Sequence, residues 1–329
     1  MVITRTPLRI SFFGGGTDYP VWIKKNGGRV LGTTIDKYCF ISCRNLPPFF
    51  NHSYRIVYSK IENVKKINEI IHPSVKACLN FVKNKTNLEI HYDSDLPARS
   101  GLGSSSAFTV GLLHCLNALK GNLINKENLA REAIHVEQKI IKENVGCQDQ
   151  IHAAYGGFNL IEFKKNDDFV IQPVTISKSK LKSLNKNLAL FYTGVNRFAS
   201  DIAKVQIKKT IWKEKELNEM QLLVEDAVKI LGSTNNYIDD FGRLLHETWL
   251  LKRSLTEKIS NVFIDDIYSK GIKAGALGGK LLGAGGGGFM LFYCDYEKLP
   301  YLKKKLQKLL HVPFNFESSG SQIIFYQPE

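Results

Sequence analysis

Leu96-Pro-Ala-Arg-Ser-Gly-Leu-Gly-Ser-Ser-Ser-Ala-Phe108 is the stretch on which the fold turns. A strand-like run, Leu88-Glu-Ile-His-Tyr-Asp93, precedes it, and an apolar stretch from Ala107 to Leu119 that reads as a buried helix follows it. A small, hydroxyl-rich loop therefore feeds straight into a helix N-terminus, where unpaired N–H groups and a partial positive charge face outward. Glycine lets the backbone approach a ligand, and serine adds short donors, a combination suited to a polyphosphate. The spacing is not that of a P-loop, Gly-x-x-x-x-Gly-Lys-Ser/Thr. Taken alone, the loop also reads as an ordinary structural turn.

Two further glycine-rich segments strengthen the ligand reading. Thr6-Pro-Leu-Arg-Ile-Ser-Phe-Phe-Gly-Gly-Gly-Thr-Asp-Tyr19 runs from a strand into three consecutive glycines. Such a run costs conformational entropy, which close backbone approach to something bulky would justify. Arg9 lies inside the strand, where a charge is expensive unless it is paired or faces a cleft; an exposed edge-strand position is the plainer alternative. Asp18 also reads as the N-cap of a helix over Tyr19–Lys25. Lys280-Leu-Leu-Gly-Ala-Gly-Gly-Gly-Gly-Phe289 separates a helix over 262–274 from a strand beginning at Phe289. Its apolar flanks favour a packed loop near a nucleotide over a flexible linker.

The chain has 329 residues, 43% of them hydrophobic, enough for roughly two domains with sizeable cores. Lys and Arg number 45 against 31 Asp and Glu, a formal charge of +14. The positive residues are scattered over 178–186, 204–215 and 303–308 among apolar residues, as on solvated faces, and no nucleic-acid-reading motif accompanies them. The excess suits anionic small molecules better than nucleic acid. Six cysteines without a Cys-x-x-Cys pair read as buried thiols, and eight histidines show no metal-ligand spacing. No signal-peptide pattern opens the chain and no apolar run approaches the roughly 20 residues of a membrane span. The expectation is a cytoplasmic protein with no membrane or nucleic-acid partner; its oligomeric state is not legible.

Strand-like runs occupy 2–13, 29–44, 54–58, 88–93 and 158–163, and helical patterns 73–82, 104–120, 126–143 and 148–155. A lysine- and serine-rich stretch at 177–187 marks the domain boundary. After it come a strand at 188–193, long helices over 204–231 and 238–259, then helix, glycine loop, strand, helix and a last strand at 322–326. Early long strands followed by clustered helices argue for an α+β fold.

The three glycine segments, in this order, resemble the signature motifs of the GHMP kinases. Pro97 to Ser105 matches Pro-x-x-x-Gly-Leu-Gly-Ser-Ser, and Gly146-Cys-Gln-Asp-Gln150 is similar to the family's Gly-x-x-Asp-Gln. Arg9 with Gly14-Gly-Gly-Thr-Asp18 resembles the sugar-1-kinase branch. The resemblance implies two domains: a mixed α/β N-terminal domain over 1–182 and a ferredoxin-like C-terminal domain over 183–329, with the active site in the cleft between them. It implies ATP- and Mg2+-dependent phosphorylation of an anomeric C1 hydroxyl. The acceptor it implies is a heptose 7-phosphate, on the way to nucleotide-activated heptose for surface polysaccharide. A fucokinase or galactokinase acting on a free sugar is the alternative within the family, and a non-catalytic sugar and ATP sensor the alternative outside it.

Roles follow by position. Asp149 matches the catalytic aspartate, and Arg9 the basic residue that pairs with it and offsets phosphoryl charge. Pro97, Arg99, Ser100, Gly101, Leu102, Gly103, Ser104, Ser105 and Ser106 would form the ATP-phosphate loop. Ser105 and Glu137 would hold magnesium, an ion that needs few protein ligands beside phosphate oxygens and water. Gly15, Gly16, Thr17 and Asp18 would meet the sugar, and Gly285, Gly286 and Gly287 would close the site near Asp149. A second phosphate on the acceptor needs a cation. Arg197 is preferred to Arg29, Lys37 and Arg44.

Overall fold

The computed structural model describes residues 1–195, 199–234 and 238–327. The first half contains β1 (Val2–Phe13), α1 (Pro20–Asn26), β2 (Gly28–Asn45), β3 (Tyr54–Val57), β4 (Ile61–Val64), α2 (Pro73–Phe81), β5 (Leu88–Ser94), α3 (Ser104–Leu119), α4 (Lys126–His135), α5 (Gln148–Tyr155), β6 (Phe158–Phe163) and β7 (Phe169–Pro173). The second half continues with α6 (Lys178–Lys186), β8 (Leu188–Tyr192), α7 (Ala199–Lys209), α8 (Glu214–Gly232), α9 (Asp239–Leu255), α10 (Val262–Lys273), β9 (Ala276–Leu281), β10 (Phe289–Cys294), α11 (Leu299–Lys305), β11 (Leu310–Val312), β12 (Phe316–Glu317) and β13 (Gln322–Tyr326).

From Thr6 to Phe13 every residue of β1 is buried. Side chains alternate across a strand, so cover is needed on both faces. Helices α3 and α5 pack against β1, and so do α8 and α9 from the second half. Phe241 of α9 meets Phe12 and Phe13 edge-on at 5.3 and 5.0 Å. A glycine in α3 lets that helix come close: a Cβ on Gly111 would lie 2.8 Å from Thr6 Oγ1. The nine-stranded sheet runs β13-β1-β2-β5-β3-β4. The 18-residue β2 carries it by pairing Cys39–Asn45 with β5 and Gly28–Thr33 with β6. The second sheet, β11-β8-β10-β9, is antiparallel throughout and carries α9 and α10 against β9. Two α+β layers thus share one helical interface, beside which the glycine loops lie.

Several expectations change on folding. The helix read over 126–143 ends its α-helical part at His135 and continues as a π-helical turn, Val136–Ile141, which carries Glu137. Such turns are rare and concentrate at functional sites. The helix read over 204–231 is broken by a 3-10 turn at Thr210–Trp212. The boundary stretch 177–187 is itself a helix, α6, capped by Ser177. Its Lys180 is buried because the ammonium caps the C-terminal carbonyls of α8, at Ile230 (2.8 Å) and Ser233 (2.7 Å). The last strand, expected in the second domain, instead pairs with β1, and β12 pairs with β2. The otherwise open edge of β1 supplies the reason, since its N–H and C=O groups need partners.

Candidate active site

Arg9 enters the site from β1 and Asp149 from the first turn of α5. The guanidinium grips the carboxylate with two parallel bonds, Nε to Oδ1 at 2.8 Å and Nη2 to Oδ2 at 2.7 Å. Its third arm, Nη1, donates to the Gly101 carbonyl at 2.7 Å, and its backbone N–H to Leu102 at 3.0 Å. One side chain therefore fixes both the acidic residue and the glycine–serine loop. The Asp149 side chain stays 27% exposed while that of Arg9 is 6% exposed, so the open side of the pair is the carboxylate. Such a fork is rigid and geometrically specific.

The glycine–serine loop ends on Gly103, which holds the left-handed conformation (φ 75°) immediately before α3. No side chain caps that helix, leaving its first N–H groups to an external anion. Within the loop, Leu102 is buried as an apolar anchor, Ser104 Oγ accepts from Arg99 N–H, and Ser100 is buried with its carbonyl bonded to Phe289 N–H at 3.1 Å. Pro97, Arg99 and Ser105 are exposed. The third glycine loop packs directly on the second. A Cβ on Gly283 would lie 2.5 Å from Gly101 Cα, and one on Gly288 2.2 Å from the Ser100 carbonyl. By contrast, Gly285 abuts Ile259 and Gly287 abuts Val195; the link from the third glycine loop to Asp149 runs from Gly283 through Gly101 and Arg9.

Glu137 is 1% exposed, and burial pushes its carboxyl up to about 7. Ser106 Oγ donates to its Oε2 at 2.8 Å and Gln150 donates to the same oxygen; the Thr109 hydroxyl also helps hold the carboxylate, but among the described residues Oε1 has no hydrogen bond of regular geometry. A buried carboxylate with one orphaned oxygen fits a bound divalent cation. Here the hydroxyl in contact with Glu137 is that of Ser106, whereas the expected ligand Ser105 faces outward. Consecutive residues on a helix point about 100° apart, so only one of them can face the π-turn.

Asp18 is 3% exposed and does not cap α1, whose N-cap is Tyr19. Burial raises its carboxyl above the usual range, with Asp149 adding to the effect. Its oxygens accept from Gly16 N–H (2.9 Å) and Gln148 N–H (3.4 Å). Gly146 is obligatory beside it, because a Cβ there would sit 1.9 Å from Asp18 Oδ2. Thr17, expected to line the sugar, is fully buried, and its hydroxyl is committed to the Gly14 and Arg29 carbonyls. It staples the loop to β2 rather than offering a contact. Of the cations considered for a second phosphate, Arg29 pairs with Glu162 and Glu225, Lys37 with Asp36, and Arg44 with Glu89. Arg197 lies outside the described residues.

Two buried lysines escaped the sequence reading. Lys252 of α9 bonds the Leu281 carbonyl at 3.1 Å and the Gly283 carbonyl, and Lys280 of β9 bonds the Phe12 carbonyl at 2.6 Å. They tie the third glycine loop and the second sheet to the strand that carries Arg9. Only a Lys at a buried position of an amphipathic helix signals Lys252, and snorkelling lysines share that pattern. Burial lowers the Lys252 ammonium to about 7, with Arg9 contributing. The neutral amine is thus favoured by folding, and stability rises with pH between the folded value and the ordinary 10.5. Against Lys252→Met, wild type is expected to gain up to about 3 kcal/mol between pH 7 and 10. Urea denaturation of both proteins at the two pH values measures the difference; a constant difference refutes it.

Among the described residues no helix is long and apolar enough to cross a membrane. The N-terminal domain model of the GHMP kinases matches residues 73–157, and the C-terminal model residues 227–310. The chain is 32% identical over 317 residues to D-glycero-alpha-D-manno-heptose 7-phosphate kinase of Campylobacter jejuni, covering 93% of each chain. It is 26% identical over 338 residues to the bifunctional fucokinase/GDP-fucose pyrophosphorylase of Arabidopsis thaliana, covering 94% of this chain and 31% of that one. In fold it is similar to the crystal structure of a D-glycero-D-manno-heptose 1-phosphate kinase from Bacteroides thetaiotaomicron, with a TM-score of 0.80 at 22% identity, covering 99% of this chain and 100% of that one. Matches in both halves, and an identity that runs along nearly the whole Campylobacter enzyme, place this chain in the GHMP kinase family.

Proposed function

We propose that the chain is a sugar kinase that transfers the γ-phosphoryl group of ATP to the anomeric C1 hydroxyl of D-glycero-D-manno-heptose 7-phosphate, yielding the 1,7-bisphosphate and ADP. The product would feed nucleotide-activated heptose for surface polysaccharide. The observation that carries the chemistry is the Arg9–Asp149 fork, fastened to the uncapped loop of α3. The similarity to the Campylobacter heptose 7-phosphate kinase carries the acceptor.

In this reading, the loop from Ser100 to Ser106 and the N-terminus of α3 bind the triphosphate. Asp149 aligns the C1 hydroxyl and accepts its proton as the oxygen bonds to the γ-phosphorus and the bond to ADP breaks. Arg9 sets the orientation of that carboxylate and offsets charge on the equatorial phosphoryl oxygens. Phosphoryl transfer asks for positioning and charge stabilisation more than covalent chemistry, and these few groups supply both. Glu137, with Ser105 or Ser106, would hold magnesium, which neutralises phosphate charge when bound. Asp18 and the Gly15–Gly16 backbone hold the acceptor.

Phosphorus NMR of a reaction with ATP, Mg2+ and D-glycero-D-manno-heptose 7-phosphate is expected to show a new anomeric phosphate coupled to H1, the 7-phosphate remaining. A free-sugar kinase is the second reading, favoured by the pairing of Arg29, Lys37 and Arg44 with carboxylates. Turnover of L-fucose with none of the heptose phosphate would establish it.

A further inference from the structure

Beside Gly15 and Gly16 lie three polar side chains that the phosphoryl-transfer reading leaves without work. Ser11 of β1 is 6% exposed and Gln148 of α5 is 7% exposed. Ser11 Oγ and Gln148 Oε1 are buried with no hydrogen-bond partner among the described residues. The Ser11 hydroxyl and the Gln148 carboxamide meet at one place: a Cβ on Gly15 would sit 3.5 Å from Ser11 Oγ and 3.7 Å from Gln148 Nε2, the nitrogen of the amide whose Oε1 is unpaired. Gln206 reaches the neighbouring glycine from α7, on the far side of the helical interface. It is 5% exposed, and its Nε2 lies 2.6 Å from where a Cβ on Gly16 would be.

A buried polar atom left unpaired is costly, so the Ser11 hydroxyl and the Gln148 carbonyl oxygen in the side chains beside this glycine turn call for a partner. Neither atom bonds to a described residue, although the Gln148 side chain also holds the Asp18 carboxylate by a hydrogen bond. The absence of a side chain at Gly15 leaves room beside Ser11 and Gln148, while at Gly16 the Gln206 carboxamide takes the place a Cβ would fill. The chemistry of the set is specific. The Asp18 carboxylate and Gln148 Oε1 accept, the Ser11 hydroxyl both donates and accepts, and the Gln206 carboxamide does the same through separate atoms. Neighbouring hydroxyls of a sugar ring present that alternation of donors and acceptors.

We infer that Ser11, Gln148 and Gln206 form the wall that reads the ring hydroxyls of the acceptor, with Gln206 delivered by the second half of the chain. The inference rests on the sugar-kinase reading and adds that recognition is split between both layers. An acceptor therefore presents at least two adjacent ring hydroxyls besides the one phosphorylated. Sites that hydrogen-bond a substrate hydroxyl discriminate strongly against analogues lacking it, because their own polar groups are then left unpaired.

The test is equilibrium binding by calorimetry of D-glycero-D-manno-heptose 7-phosphate, of L-fucose and of a non-hydrolysable ATP analogue to wild type, Ser11→Ala, Gln148→Leu and Gln206→Leu. Each substitution is expected to weaken binding of the acceptor at least tenfold and to change nucleotide affinity less than twofold. The melting temperature of Ser11→Ala is expected to equal or exceed that of wild type, because an unpaired polar atom is removed; Gln148→Leu also loses its bond to Asp18 and is judged by the acceptor-to-nucleotide affinity split. A purely structural role predicts lower melting temperatures with unchanged acceptor affinity, and that result overturns the inference. So does a parallel loss of nucleotide affinity. If wild type binds only L-fucose, the heptose reading fails while the wall is tested on fucose; if it binds neither sugar, both fall.

Discussion

Asp149→Asn is expected to lower kcat by about 10²–10⁴-fold, the range for removing a positioned general base. The substitution is chosen to keep the fold. Asparagine retains an oxygen for one arm of the Arg9 fork, while the second arm, now opposite an NH2, is lost. Arg9 keeps its bond to the Gly101 carbonyl, so the phosphate loop stays seated and nucleotide affinity should change little. Loss of the proton acceptor and of the negative charge acts on the reacting hydroxyl alone. Steady-state kinetics with saturating ATP and acceptor, alongside nucleotide binding by calorimetry, separates these effects. Turnover within tenfold of wild type would remove Asp149 from the mechanism. A matching loss of nucleotide affinity would make it a structural residue.

Glu137→Gln is expected to lose at least about 10²-fold in kcat and yet melt at a higher temperature than wild type. The gain in stability follows from burial. A carboxylate that is 1% exposed, with one oxygen unpaired, is costly to desolvate, and a neutral carboxamide of the same shape is cheaper. A gain on the order of 1–2 kcal/mol is the expected scale for removing a buried charge that is only partly compensated. The same substitution removes the charge that would draw a divalent cation to the phosphates. Calorimetric titration with Mg2+ in the presence of the ATP analogue should show weaker cation uptake in the variant, a readout independent of turnover. A variant less stable than wild type, with unchanged Mg2+ affinity, would make Glu137 a structural group that Ser106 and Gln150 satisfy.

Stability and activity are thus expected to pull in opposite directions at Glu137, and in a milder form at Ser11. At Glu137 and Ser11 the proposed cation and acceptor would complete the unpaired atoms. The neighbouring Thr17 is the counterexample. It sits in the same motif, yet its hydroxyl is consumed by backbone carbonyls, so motif membership by itself did not separate a stapling residue from a contact.

Local pattern decided much of this protein. Strand β1 and helix α5 have the bounds their apolar patterns indicate, because period-2 and period-3.6 signals need only neighbours in sequence. The glycine motifs and Asp149 were legible for the same reason: residue type and spacing carry the demand for close backbone approach and a first-turn carboxylate. What depended on distant contacts was not legible. That Ser106, and not Ser105, touches Glu137 depends on the rotation of α3 against the π-turn. The recruitment of Lys252 and Lys280 depends on which carbonyls the second sheet brings within reach. The pairing of β13 with β1 depends on an edge left open by strands formed earlier in the chain. Gln206 lies far from the first motif in sequence, and only the packing of α7 over Gly16 brings it there. Sequence periodicity determines which face of an element is apolar. Which polar groups then meet is set by satisfying buried donors and acceptors across the whole molecule, and that is a property of the tertiary structure.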